Sequence, residues 1–194
     1  MENNNVFRVT AVQEPPVFLD LEQSVEKARR LIAQASGGGA RLIVFPETWL
    51  PLARQAMHAQ QELVHVAQWP TVKEMHLIAS RHYAFEGRCF VVAAGAVLQK
   101  RDLAHLDLPL LADIPGSDDT YLMRGGSAII SPEGDLLAGP LYEQPGLVSA
   151  EIDPQQAVDG RLTLDVMGHY GRPDIFQLHV NTTPQEHVYW QDSC

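Results

Sequence analysis

The apolar residues of this chain fall into two rhythms. Val6-Phe7-Arg8-Val9-Thr10-Ala11-Val12 has the two-residue alternation of a strand, and Gln13-Glu14-Pro15-Pro16 closes it. Leu21, Val25, Ala28, Leu31, Ile32 and Ala35 then recur at helical spacing. Glu22, Glu26, Lys27, Arg29 and Arg30 lie on the opposite side, and Asp20 is placed to cap the start. Gly37-Gly38-Gly39 ends this helix. Leu42-Ile43-Val44-Phe45 reads as a short buried strand, which Pro46 stops because it has no N–H to give. Strand, helix and strand at this spacing predict a right-handed βαβ unit.

Trp49 to Gln61 predicts a helix with Leu52, Ala53, Ala56 and Met57 on one side, and Leu63 to Ala67 a short strand. Thr71 is expected to cap a long helix to about Gly87, with Val72, Met75, Ile78, Ala79 and Phe85 as its apolar stripe. Cys89 to Ala94 is almost wholly apolar, which fits a strand covered on both faces. Lys100 to Arg124 is polar and rich in turn residues, and is expected to be a long surface loop. Gly125 to Ser131, the turn Pro132-Glu133-Gly134-Asp135 and Leu136 to Gly139 predict a hairpin. Gly146 to Asp153 alternates as another strand, Pro154 can open a short helix, and Ile175 to Val180 is expected to be the last strand. Residues 1–180 read as one α/β domain and 181–194 as a loose tail.

Composition narrows the function. The chain has 194 residues, 45% apolar and 20% charged, the proportions of a globular protein. A net charge of −10 argues against nucleic acid and against an anionic membrane surface as partners. Met1-Glu2-Asn3-Asn4-Asn5 lacks the basic and apolar regions of a signal peptide, and the longest apolar run, Cys89 to Leu98, is too short to span a bilayer. Two cysteines build no disulfide framework, so a reducing cytoplasm is the expected compartment.

Glu47 follows the second strand, where parallel sheets place their chemistry, and a carboxylate there is a candidate general base. From the pattern alone, a single acid reads first as an ordinary polar residue at a strand end. His76 and His82 sit beside a helix stripe with no partner at ligand spacing, so they read as packing or rim residues rather than metal ligands. Cys89 could be a nucleophile, but nothing nearby would depress its pKa and an inert buried thiol is the better reading. The triple glycine follows a helix and cradles no phosphate, and Ser127 is in no nucleophile elbow. No cofactor or metal site is predicted.

Several of these pieces together resemble the nitrilase branch of the carbon–nitrogen hydrolase superfamily. Phe45-Pro46-Glu47 resembles its catalytic glutamate motif, and Arg81 to Val92 the helix and strand after its nucleophile. Gly125-Gly126-Ser127 through Pro140-Leu141-Tyr142 resembles its hairpin. Leu164-Asp165-Val166, Gly168-His169-Tyr170 and Arg172-Pro173-Asp174 resemble its C-terminal signature. The resemblance implies a four-layer α-β-β-α sandwich and hydrolysis of small nitriles or amides to acid and ammonia. In that chemistry a cysteine attacks the nitrile or amide carbon, a glutamate takes its proton, and a lysine steadies the negative charge.

Here the resemblance covers the glutamate, Glu47, and nothing else of that triad. Lys27, Lys73 and Lys100 lie in the wrong context, and no Cys-Trp-Glu motif occurs. Glu47-Thr48-Trp49-Leu50-Pro51 also fits the continuation of the nucleophile motif, with Phe45 in the place of the cysteine. An internal deletion between two similar stretches accounts for both matches. It implies a sandwich shortened in its central strands and impaired or absent catalysis. It also implies open sheet edges that favour a homo-oligomer, with helices 49–61 and 71–88 as the interface by resemblance. The alternative is a non-catalytic scaffold or binding module that keeps the oligomerising surface.

Overall fold

The computed structural model describes residues 6–14, 21–44, 54–106, 108–171, 173–174 and 177–180. The alternating first segment is β1 (Phe7–Gln13), the amphipathic segment α1 (Leu21–Gly37), and the strand after the glycines β2 (Ala40–Val44). The Gly38 N–H bonds the Gln34 carbonyl and Gly39 turns the chain at φ +83°, so the glycines end α1 as their sequence requires. β1 lies parallel to β2 and antiparallel to β8 (Gly146–Ile152), giving a three-stranded sheet in the order β2-β1-β8.

A second βαβ unit follows the short helix α2 (Arg54–Ala59). It comprises β3 (Val64–Trp69), α3 (Glu74–Gly87) and β4 (Phe90–Gly95). β3 and β4 are parallel in unbroken register from Val64↔Phe90 to Trp69↔Gly95. The hairpin is β6 (Tyr121–Ile130) and β7 (Leu136–Tyr142), and β6 also pairs with β4 and with β5 (Val97–Gln99). Two short helices complete the chain, α4 (Leu110–Asp113) and α5 (Gln155–Gly160), the latter opened by Pro154.

The two sheets stack face to face. Val9 and Ala11 of β1 and Val148 and Ile152 of β8 meet Phe90, Val92 and Ala94 of β4 and Ile129 of β6 between them. The other face of β4 packs Val91 and Ala93, with Ala67 and Ile130, against Ala84 of α3. With α1 beside β2 and α3 on β4, the layers are α-β-β-α.

Four expectations are corrected. Lys100 to Arg124 is not a bare loop: it holds a 3₁₀ segment (Lys100–Leu106), α4 and the start of β6, because Val97–Gln99 offers residues 121–124 a strand to pair with. The cap of α3 is Lys73 rather than Thr71, since the Thr71 hydroxyl instead accepts the Arg124 N–H at 3.1 Å. The expected stripe of α3 faces outward: Met75, Ile78 and Phe85 are 69%, 48% and 42% exposed. The buried residues of the helix are the small Ser80, Ala84 and Gly87, of which Ala84 packs on the sheet and Gly87 lies against His58 of α2. Residues 177–180 pair with no described strand and are exposed, so the last predicted strand is not formed there. The Asp20 cap and residues 49–53 of the predicted helix lie outside the described residues; α2 itself begins at Arg54.

One buried side chain ties the sheets. Gln13, fully buried at the end of β1, donates from Nε2 to the carbonyls of Leu141 and Gln144 at 2.7 and 2.8 Å and accepts the Ser127 N–H at 2.8 Å. Gln13→Ala removes those partners at once, and buried groups left unpaired cost roughly 1–3 kcal/mol each. The expected loss in urea unfolding is about 3 kcal/mol, with native-like circular dichroism retained before the transition.

Candidate functional site

Parallel β1 and β2 bring their carboxyl ends to one edge, where Ala11 stands level with Val44. The carboxyl end of β4 reaches the same region. The Ser127 hydroxyl accepts the Gly95 N–H at 3.0 Å, while the Ser127 N–H goes to Gln13. Gly95 and Gly125 permit this crowding, since a Cβ at Gly95 would stand 2.5 Å from the Gly125 carbonyl oxygen and one at Gly125 2.4 Å from Gln13 Nε2. Ser127 is therefore a buried tie between strands and offers no nucleophile. Glu47, three residues beyond Val44, lies outside the described residues, as do Phe45 and Trp49.

The chain's three lysines are distributed elsewhere. Lys27 Nζ pairs with Glu14 Oε2 at 2.9 Å. Lys100 Nζ donates to the Ile114 carbonyl at 2.9 Å, and Lys73 is exposed at the head of α3. Cys89 is wholly buried just before β4. Burial pushes its thiol pKa up, the Glu62 charge adds to this, and Arg161 only partly opposes it. The thiol stays protonated and is a poor nucleophile.

The most heavily charged buried cluster described is one the sequence reading did not single out. Glu62, between α2 and β3, accepts a very short hydrogen bond from the Tyr83 hydroxyl. His65 Nδ1 stands 3.1 Å from its carboxylate and His58 Nδ1 3.3 Å, while its backbone carbonyl accepts Arg161 Nη2 at 2.9 Å. Burial alone would raise the Glu62 pKa, but the bonds from His58, His65 and Tyr83, with the His65 charge, outweigh it and hold the group at about 2. The His58 side chain is only 2% exposed and also lies 4.0 Å from Glu86 Oε2. Its ring fills the space a side chain at Gly87 would need, since a Cβ there would fall 2.2 Å from His58 Cε1. Tyr83 packs on both imidazoles, with centroids 4.6 Å from His58 and 3.9 Å from His65.

Chemically this is a clamp. Glu62 is held ionised with its oxygens occupied, so it joins α2, β3 and α3 rather than taking a proton from a substrate. A cavity of about 130 Å³ lies beside it, lined by His58, Glu86, Arg161 and Asp165 among others. Among the described residues no group of three or more His, Cys, Asp or Glu could hold a metal ion. The stripe predicted for the helix over 49–61 missed His58 because it placed Met57 inside. In the structure Met57 is exposed and His58 buried, one residue further round the helix. The signal was present: His58 and Glu62 are four residues apart, the spacing at which a cation and a carboxylate meet. His76, as a packing residue, stacks on Trp69 at 4.5 Å, and His82 is exposed.

An α-β-β-α sandwich with two parallel strands ending at a shared edge, in a chain whose sequence runs Phe45-Pro46-Glu47 directly after the second of them, defines the class. Residues 8–75 and 57–161 each match the carbon–nitrogen hydrolase family model, and the chain belongs to that family, on its nitrilase branch. It is 35% identical over 158 residues to a nitrilase of Bradyrhizobium diazoefficiens, covering 81% of this chain and 48% of that protein. It is 38% identical over 144 residues to nitrilase 3 of Arabidopsis thaliana, covering 73% and 42%. The chain thus spans about half the length of the curated relatives it matches. In structure it resembles a carbon–nitrogen hydrolase of Helicobacter pylori G27, with a TM-score of 0.64 at 11% identity over 87% of this chain and 96% of that one. The NitFhit protein of C. elegans gives a TM-score of 0.61 at 13% identity, covering 95% and 69%.

The clamp has a pH signature. Glu62 is held near pKa 2 against an ordinary 4.5, so its stabilisation is fully present above about pH 4.5 and is lost as pH falls toward 2. Stability measured from pH 6 to pH 2 should fall by roughly 2–3 kcal/mol through this group. In Glu62→Gln that share of the fall disappears, and stability at neutral pH is lower. Gly87→Ala, by contrast, should cost about 1–3 kcal/mol at every pH, because its cost is steric.

Proposed function

We propose that this chain is a nitrilase-type carbon–nitrogen hydrolase domain whose catalytic centre is incomplete, with Glu47 retained and the cysteine and lysine missing. Its ancestral reaction is hydrolysis of a small nitrile or amide to an acid and ammonia, and its own turnover is very low or nil. The observation that carries this reading is the state of Cys89. It is a fully buried, protonated thiol with no lysine brought to it, Lys27 and Lys100 being engaged elsewhere. An internal deletion is the proposed origin. The family model matches in two pieces that overlap over residues 57–75, which supports it, and so does the double fit of Glu47-Thr48-Trp49-Leu50-Pro51.

We further propose a homo-oligomer that uses the outer face of α3 and the α2 segment, in the reducing cytoplasm. The outward Met75, Ile78 and Phe85 of α3 and Met57 of α2 support the interface. No helix among the described residues is long and apolar enough to cross a membrane. This surface also favours the second reading, a scaffold that keeps the sandwich and its association without catalysis.

Ammonia release from simple nitriles and amides tests the catalytic reading. Losing the nucleophile unit of a hydrolase costs about 10⁶ in turnover. The expected rate is therefore indistinguishable from buffer, and the same in Cys89→Ser and Glu47→Gln. Robust turnover abolished by Cys89→Ser would overturn the proposal.

A further inference from the structure

The two sheets differ in width, and the mismatch falls on β3. The inter-sheet face of β4 is fully buried at Phe90, Val92 and Ala94, yet their neighbours on β3 are not: Val64 is half-buried and Val66 37% exposed. Val64 packs partly against the inter-sheet core, and Val66 is left open. β3 is also an end strand, paired only with β4 among the described residues. Natural edge strands are blunted by lysine, proline, a bulge or shortness. Val64-His65-Val66-Ala67-Gln68-Trp69 has none of these: its register is unbroken, and the nearest formal charges are Glu62 and Lys73. The other end strands are each blunted: β2 is shorter and carries Arg41, β5 has 3 residues, β7 contains Pro140 and β8 carries Glu151.

We infer that β3 is a homodimerisation strand, pairing antiparallel with β3 of a second copy across a two-fold axis normal to the sheet. Charge and parity select this occupant and this arrangement. Copies that each carry −10 repel, so they meet best along a stretch that holds no acidic residue, and residues 63–73, which include β3, hold none. An axis normal to the sheet opposes residues of like parity, so that bare valine faces bare valine. The register centred on Val66 sets Val66 against the partner's Val66 and Val64 against the partner's Gln68. On the other face it sets His65 against the partner's Ala67 and Leu63 against the partner's Trp69, each a large side chain beside one it can pack on. The exposed Val66 of each copy is then covered by the other, with half-buried Val64 beside it, and the edge hydrogen bonds are satisfied. This contact is separate from the helical one proposed above.

Site-specific crosslinking of the 194-residue chain tests it, in a Cys194→Ser background that leaves only buried Cys89. Val66→Cys should form a disulfide-linked dimer under mild oxidation, because the residue opposes itself, whereas Val64→Cys and Ala67→Cys should not. In sedimentation, Val66→Lys should weaken the dimer roughly tenfold or more by placing like charges face to face, with unchanged circular dichroism. Met75→Glu, aimed at the helical surface, should leave the Val66→Cys crosslink intact. A wild-type monomer at 100 μM, a dimer that Val66→Cys does not link, or linkage by Ala67→Cys in its place would each overturn the inference.

Discussion

A single buried amide ties the two sheets of this molecule together at one end. Gln13 ends β1, and its side chain bonds two carbonyls at the β7 end of the hairpin and one N–H of β6. Ser127, whose N–H it takes, passes the connection on to Gly95 at the end of β4. Three bonds from one side chain thus align the carboxyl ends of strands in both sheets. Ser127 is wholly buried, so its N–H depends on Gln13 for a partner, which favours the alignment. Gly95 and Gly125 lack side chains so that the backbones can crowd around it. The edge at which β1 and β4 end is set by this arrangement.

The Glu62 cluster fixes the far end of the second sheet with charge rather than with a neutral amide. His58, Tyr83 and Arg161 come from α2, α3 and the turn after α5, and Glu62 gathers all of them. Its ionised state follows from the donors around it, and so does its chemical silence. The contrast with Cys89 is instructive. The same burial that these donors overcome at Glu62 goes largely uncompensated at the thiol, where the nearby negative charge adds to it. Within one small volume the carboxylate is charged and saturated, and the sulfur neutral and shielded.

Much of the fold is legible in the sequence where period and punctuation agree. β1, α1 and the hairpin follow directly from alternation, the glycine stop and Pro132-Glu133-Gly134-Asp135. β4 reads from its unbroken apolar run, because both its faces are buried. The α3 stripe misleads because size and burial part company there: small Ser80, Ala84 and Gly87 are buried, and the large apolar residues point away. The first residues of β6 are invisible in the sequence because they are half-exposed and ordered by pairing with β5, which has only 3 residues. The family is legible from Phe45-Pro46-Glu47 and the C-terminal segments, since each motif survives locally. The clamp is less so: its five residues, His58, Glu62, His65, Tyr83 and Arg161, are spread along the chain, and only the fold brings them together.

The place of β1 has a bearing on synthesis. It is the middle strand of its sheet, with β8 bonded along its whole length from Phe7↔Ile152 to Gln13↔Gly146. The first strand made must therefore wait for almost the last. Residues 64–142, which supply the other sheet, are contiguous and can pair as they emerge from the ribosome. Such long-range closure is slow by its nature. Until residue 152 has cleared the exit tunnel, the N-terminal strand has one flank open to whatever chaperone or neighbouring nascent chain reaches it first.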